Sequence, residues 1–405
     1  MVLNYFKIIN FMFFFSIRQI KIYILISFFS VIVSLYLFEG YLIFSENKYN
    51  YKKIIEDFKK ITGKDYDERK KLEIYNELRN TGENYFVSIY PIAHLNDKIN
   101  PIFPLSGISF SKTIHCNENG YYSIYDSDRF GFNNPDSEWD KEEIEYVLVG
   151  DSYTHGACVN RPYDIASVLR LLSSKSVLNL GFTGNGPLIE YATLKEYLRK
   201  GVKKVLWIYY AGNDLSDLNR ELVNDKLNKY LSDKKFSQEL ILKQGLIDKI
   251  NQDSLSKLII DTQFQNLKKN YRLKYKILKF FQLDRTKEKI RIFFLNSDYK
   301  VENIDTFKNI LILTKELIKE NNSKLYFVYL PDLYRYRDKN YPTGEEDVIK
   351  SIVKNLNIPF INIHEEVFKE VKNELNLFPY SIRHHYTVEG YNLVAKEIFE
   401  NVSKK

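Results

Sequence analysis

Two hydrophobic rhythms run along this chain. From residue 141 onward, short apolar runs alternate with amphipathic stretches. The runs Ile144–Val149, Val177–Leu180, Val205–Tyr210, Leu325–Leu330 and Phe360–Ile363 read as buried strands. Between them, helical patterns fall near Ile165–Leu172, Leu188–Arg199, Phe307–Glu320, Glu346–Leu356 and after Gly390. Such alternation predicts an α/β domain over 141–405, with a parallel sheet covered by helices on both faces.

Nearer the N-terminus the rhythm is different. Ile22–Phe38 is uncharged, and Gly40–Phe44 extends the apolar stretch after Glu39. All faces of this segment are apolar and it can cross a hydrocarbon core, which needs about 20 residues. No small-residue cleavage site follows, so residues 22–44 are expected to be an uncleaved transmembrane anchor. Lys7, Arg18 and Lys21 precede it without an acidic residue, which favours a cytoplasmic 1–21 and a main domain outside the cytoplasmic membrane. The earlier run Ile8–Phe15 is too short to span and is expected to lie in the interface.

Between these regions, 45–140 reads as a lead-in packed on the main domain: charged and helical from Tyr51 to Asn80, then rich in turn residues. A second irregularity interrupts the α/β pattern at 216–303, where amphipathic helical periodicity predicts a helical insertion. Composition adds one point here. The formal net charge is +7, and residues 221–300 carry 18 Lys or Arg against 10 Asp or Glu. The excess is therefore local to the insertion. With no zinc-finger spacing and no compact basic reading helix, membrane or glycan contact fits better than nucleic acid. The two cysteines, Cys116 and Cys158, form no metal-like cluster; a disulfide and two buried thiols remain open readings.

The candidate chemistry sits where the predicted strands stop. Gly150-Asp151-Ser152 follows Tyr146–Val149; Asn179 to Gly186 follows the second strand; Gly212-Asn213-Asp214 follows Trp207–Tyr210; and His385 to Tyr391 precedes the last helix. In open α/β sheets, ligands bind beyond the strand carboxyl ends. A serine hydroxyl needs a base, for which a neutral imidazole is suited, and an acyl-transfer intermediate needs preorganised donors for its oxyanion. Ser152 is the candidate nucleophile and His385 the candidate base. The backbone N–H groups of Ser152 and Gly184 and the Asn213 side-chain amide are the candidate oxyanion donors. Asp151 and Asp214 are read as ordering their loops through hydrogen bonds. His155 is read as a capping or contact residue, and His94, His115 and His364 have no partner pattern.

In these four blocks the sequence resembles the SGNH (GDSL-type) hydrolases, whose Ser, Gly, Asn and His follow in that order. Ser152, Gly184, Asn213 and His385 match them, and the resemblance covers about 143–400 without the insertion. It implies a flavodoxin-like three-layer α/β/α domain and ester hydrolase, deacetylase or acyltransferase chemistry without metal or organic cofactor. One position departs from the pattern. The family usually carries Asp three residues before its histidine, and here that residue is Ile382. A backbone carbonyl or Asp332 is a substitute to be tested against structure. The resulting expectation is a membrane-anchored serine ester hydrolase acting on acyl esters of envelope glycans. The alternatives are an O-acyltransferase of polysaccharide assembly and a non-catalytic glycan-binding protein, whose main support is Ile382.

Overall fold

The computed structural model describes residues 2–46, 51–267, 277–287, 303–339 and 341–403. The parts of the expected insertion at 268–276 and 288–302 lie outside them. The chain divides into two compact units: one of Met1–Ile54 with Thr262–Tyr299, the other of Ile55–Asp261 with Lys300–Lys405.

In the first unit, α1 runs unbroken from Val2 to Glu46. The short run Ile8–Phe15 and the expected span are thus one helix. Its stretch Gln19–Phe44 is long and apolar enough to cross a membrane, and its large side chains from Ile20 to Phe44 are mostly exposed. The unit also holds the described segment 277–287.

The second unit begins with α2 (Tyr51–Thr62) and α3 (Lys71–Leu78). Three short strands follow, β1 (Tyr85–Val87), β2 (Lys112–Ile114) and β3 (Ile124–Asp126), which form a separate small sheet. β1 pairs with β2 in parallel and β2 with β3 antiparallel. At three residues each, these strands are too short to show a period in the sequence.

The α/β core starts at β4 (Ile144–Gly150). Next come α4 (Ser152–His155), α5 (Ile165–Ser173), β5 (Val177–Asn179), α6 (Pro187–Tyr197) and β6 (Val202–Tyr210). Helix α7 (Asp214–Glu221) enters the insertion, which contains α8 (Asp225–Ser232) and α9 (Gln244–Leu267). The helix Ile304–Glu320, β7 (Lys324–Leu330), the helix Gly344–Asn355, β8 (Phe360–Asn362) and a closing helix Val388–Ser403 complete the domain.

The five strands lie in the order β5-β4-β6-β7-β8, all parallel. In chain order this is 2-1-3-4-5, the flavodoxin-like arrangement. Alternation along each strand divides the core into two layers. From β6, Val205, Trp207 and Tyr209 join α6 and the helix Ile304–Glu320 on one face. Leu206, Ile208 and Tyr210 join α5 and the closing helix on the other. Both faces of the sheet are covered, which is why its strands read as unbroken apolar runs.

The insertion is partly core. Leu227, Tyr230, Leu240, Ile247 and Ile250 belong to the same apolar cluster as β4 and β6. Its polar side chains also tie to the lead-in. Asp248 accepts from the Ser109 amide at 2.9 Å, and Asn251 faces the ring of His94 at 3.2 Å.

Candidate active site

Each of the four blocks falls at an end of the sheet or against it. β4 stops at Gly150, where a Cβ would meet the Ile208 carbonyl oxygen at 2.5 Å and Thr154 Oγ1 at 2.2 Å. Only glycine lets the chain turn there against its neighbouring strand. Asp151 caps the short α4, its carboxylate accepting from the Tyr153 amide at 2.9 Å. Ser152 is the first residue of α4, so its backbone N–H lies among the helix-start donors without an intrahelical acceptor. The loop-ordering role expected of Asp151 and Asp214 fits what is seen, since Asp214 Oδ2 accepts from the Tyr210 amide at 2.9 Å.

Ser152 and His385, 233 residues apart, meet at 2.9 Å between Oγ and Nε2. Ser152 Oγ also lies 3.2 Å from Asp151 Oδ2. The other side of the imidazole faces a residue not anticipated from the sequence. His385 Nδ1 lies 3.2 Å from Glu118 Oε1, and the His385 backbone N–H donates to Glu118 Oε2 at 3.0 Å. One carboxylate thus holds both the ring and the main chain of the histidine. Asp332 is engaged elsewhere, accepting from the Tyr210 hydroxyl at 2.8 Å. The carboxylate beside His385 thus comes from the loop between β2 and β3 and not from position 382.

The electrostatics follow from this contact. Burial pushes the Glu118 carboxyl up, but the charge of His385, its two hydrogen bonds and Arg383 outweigh it and bring the group to about 2. Burial pushes the His385 imidazole down, but the Glu118 charge and hydrogen bond, with Asp151, raise it above its ordinary value. Asp151 itself is pushed up to about 6, chiefly by burial. The site is closely packed, with Ser152 only 7% exposed.

The lead-in stretch His115 to Glu118 reaches two of the four blocks and the turn that follows a third. His115 Nε2 lies 3.0 Å from Thr183 Oγ1, beside Gly184. Cys116 forms a disulfide with Cys158, just beyond α4. Glu118 holds His385. Asn119 adds a hydrogen bond from Nδ2 to the Cys158 carbonyl at 3.0 Å. A Cys158 sulfur also sits 3.7 Å from His385 Nδ1. Glu118, Cys158 and His385 bring ligand-type atoms within 4.8 Å of one another. A disulfide sulfur is not a thiolate, so Cys158 is not a metal ligand while it is paired with Cys116.

Gly184 has φ +79°, in the left-handed region, and a Cβ there would lie 3.1 Å from Ile92 Cγ2. Its loop is anchored by Glu221 at the end of α7. That buried carboxylate accepts from the amides of Gly186 at 2.5 Å, Leu188 at 2.9 Å and Ile189 at 3.3 Å, so it caps α6 from outside. Asn213 precedes α7, and its Nδ2 donates to Asp217 Oδ2 at 2.6 Å. An amide nitrogen carries two N–H bonds, so the second stays available to an oxyanion. Contact distances tie Ser152 to His385. Gly184 and Asn213 are placed by their strands, after β5 and β6.

The remaining histidines have other surroundings. His155 packs against His115 with ring centroids 4.4 Å apart and against Tyr125 at 5.0 Å, and burial pushes it down to about 3. His364 Nδ1 meets the Tyr336 hydroxyl at 2.8 Å. The His384 carbonyl accepts from the Tyr153 hydroxyl, which fixes the main chain beside His385.

No family model matches the chain, and no curated protein matches it. Solved structures do. A putative lipolytic protein of the G-D-S-L family from Desulfitobacterium hafniense DCB-2 is 15% identical, covers 64% of this chain and 99% of its own, and has a TM-score of 0.34. The acetyl xylan esterase AlAXEase is 11% identical over 64% of this chain and 100% of its own, with a TM-score of 0.35. Axe2, an acetylxylan esterase from Geobacillus stearothermophilus, is 14% identical over 64% and 94%, with a TM-score of 0.34. At these values the likeness says nothing of activity. The strand order and the two-faced core are properties of this chain itself, and they give it a flavodoxin-like α/β/α fold.

Proposed function

We propose that this protein is a serine ester hydrolase in which Ser152, His385 and Glu118 act as one relay. The observation that carries the reading is the continuous chain of contacts from Ser152 Oγ through both ring nitrogens of His385 to Glu118. Ser152 Oγ attacks the ester carbonyl carbon while its proton passes to His385 Nε2. The carbonyl electron pair moves to oxygen, where the N–H groups of Ser152, Gly184 and Asn213 receive the charge. Collapse of that intermediate breaks the C–O bond, and the departing alcohol takes the proton back from Nε2. Water then repeats the sequence on the acyl-enzyme, with His385 first as base and then as acid. Glu118 is a positioning residue. It fixes the tautomer that leaves Nε2 free to accept, and its charge stabilises the imidazolium.

The substrate class proposed is an acyl, chiefly acetyl, ester of an envelope glycan, with the α/β domain outside the cytoplasmic membrane. Three features support that side: the apolar Gln19–Phe44 helix, the basic residues before it, and a disulfide of the kind that persists in oxidising compartments. A fluorophosphonate probe should label the native protein and not Ser152→Ala. Hydrolysis of acetyl and butyryl esters should disappear with the labelling. Equal labelling of Ser152→Ala would remove Ser152 from the role.

A further inference from the structure

The first unit contains a polar contact on the apolar helix that the hydrolase reading does not use. Glu39 lies five residues before the end of the apolar stretch, about 7 Å along the axis. It is only 1% exposed, while its neighbours on the helix, Leu37, Phe38 and Tyr41, are open. Its carboxylate accepts from the Arg285 amide at 3.1 Å, the Thr286 amide at 2.7 Å and the Thr286 hydroxyl at 2.7 Å. A turn earlier, the Tyr36 hydroxyl donates to the Phe281 carbonyl at 3.2 Å, and its ring packs on Phe280 with centroids 5.5 Å apart. The segment 277–287 is therefore seated on the anchor helix over two turns.

This seat leaves Ile277, Leu278 and Phe281 exposed. Those side chains are of the same character as the exposed apolar surface of α1, and the segment also carries Lys279, Arg285 and Lys287, of which Lys279 pairs with Asp284 at 2.9 Å. The sequence from 262 to 299 holds ten Lys or Arg against three Asp or Glu. Most of the basic surplus of the insertion thus belongs to the stretch of sequence around 277–287. An amphipathic segment with an apolar side, cations and a place at the end of an apolar helix fits the boundary of a bilayer. Glu39 also becomes intelligible. A lone carboxylate on an apolar helix is costly, and three donors from 285 and 286 satisfy it.

We propose that 277–287 is a second membrane-attached element, seated on α1 through Glu39, with Ile277, Leu278 and Phe281 among the acyl chains and its basic residues against anionic lipid headgroups. The catalytic unit would then be held at two points of its chain, before Ile55 and between Asp261 and Lys300. The proposal depends on α1 being the anchor and does not depend on the esterase chemistry.

The test uses the full chain in vesicles of phosphatidylglycerol and phosphatidylcholine. Both native cysteines are in the disulfide, so a single bimane label can be placed at Leu278→Cys or, for reference, at Ile99→Cys, where the side chain is 94% exposed in the catalytic unit. The 278 label is expected to be several-fold less quenched by acrylamide than the 99 label, and to be quenched by a doxyl lipid. Equal access of acrylamide to both overturns the proposal. Replacing phosphatidylglycerol with phosphatidylcholine alone should raise acrylamide access at 278 several-fold; unchanged protection overturns the anionic-lipid part. Glu39→Ala should expose the 278 label while the chain stays in the membrane, and a label still protected overturns the clasp. Carbonate extraction separates the two failures. A chain that is released lacks the anchor, whereas a retained chain with an exposed 278 label keeps the anchor and refutes the second attachment.

Discussion

The loop at Glu118 and the helix at Glu39 use the same device for different ends. In each, a carboxylate accepts from a backbone amide and a side chain more than two hundred residues away in sequence. At Glu118 one of those partners titrates. The carboxylate and imidazole shift each other, and the contact becomes a means of setting a proton affinity. At Glu39 the partners are two amides and a hydroxyl, none of which titrates, so the contact can only fasten. What a buried carboxylate does thus follows from whether its partner can change charge.

The largest expected break in that comparison is at Glu118. Glu118→Gln should lower kcat on the order of 10⁴-fold, as the amide in place of the acid of a Ser-His-acid relay does. Its pH profile should also move. His385 works as a base only when neutral, and Glu118 raises its proton affinity, so native activity rises with pH through that raised value. Without the charge, the proton is lost at lower pH, and the acid limb of kcat should shift downward. A fall in kcat with an unmoved limb would make Glu118 a structural residue only.

Next in size is the bond that brings Glu118 to the site. Reduction of the Cys116–Cys158 disulfide, or Cys116→Ser with Cys158→Ser, should lower stability by about 2–4 kcal/mol in urea unfolding. Activity should fall less than in Glu118→Gln, because Asn119 still ties the loop to the Cys158 carbonyl. A larger loss of activity than in Glu118→Gln would mean the disulfide positions more than the acid.

Glu221 gives a third case, a carboxylate whose three amide partners cannot titrate. Glu221→Ala should cost about 1–3 kcal/mol, the range for leaving buried donors unsatisfied. Burial holds this group up at about 8, with the amides of Gly186, Leu188 and Ile189 drawing it back. Its folded value lies above that of a free carboxylate, so the ionised form costs stability as pH rises toward 8 and through it. Urea midpoints measured from pH 6 to 9 should decline in the native protein and not in Glu221→Gln.

The smallest effect on chemistry is expected at Glu39. Glu39→Ala should leave kcat on a small soluble ester unchanged, since Glu39 bonds to Arg285 and Thr286 and none of the three belongs to the proposed relay. A tenfold loss there would collapse the distinction between the two regions.

Much of the catalytic unit was legible in sequence because burial writes periodicity. The strands after Ile144 show as apolar runs since both sheet faces are covered, and the breaks after Gly150, Asn179 and Tyr210 mark where the sheet ends. Ser152 and His385 could be picked out because each stands in a block with its own local order. The cysteine pairing stayed open, since only folding brings Cys116 to Cys158. The small sheet was hidden by its brevity. Glu118 was hidden by its position: a single acid in a turn-rich loop carries no periodic or spacing signal, and the usual place before the histidine holds Ile382. The one available hint was the neighbouring Cys116, which shows that the loop is tied somewhere.

The sequence by itself determined the apolar helix, the α/β alternation, and Ser152 and His385 as the candidate nucleophile and base, because each is written in a local pattern. Tertiary structure alone decided what holds His385, what caps the helix after Gly184, and where the segment 277–287 rests. Those three answers are Glu118, Glu221 and Glu39. Each is a carboxylate whose partners lie in another part of the chain, and no local pattern of residues records a contact that only the closed fold creates.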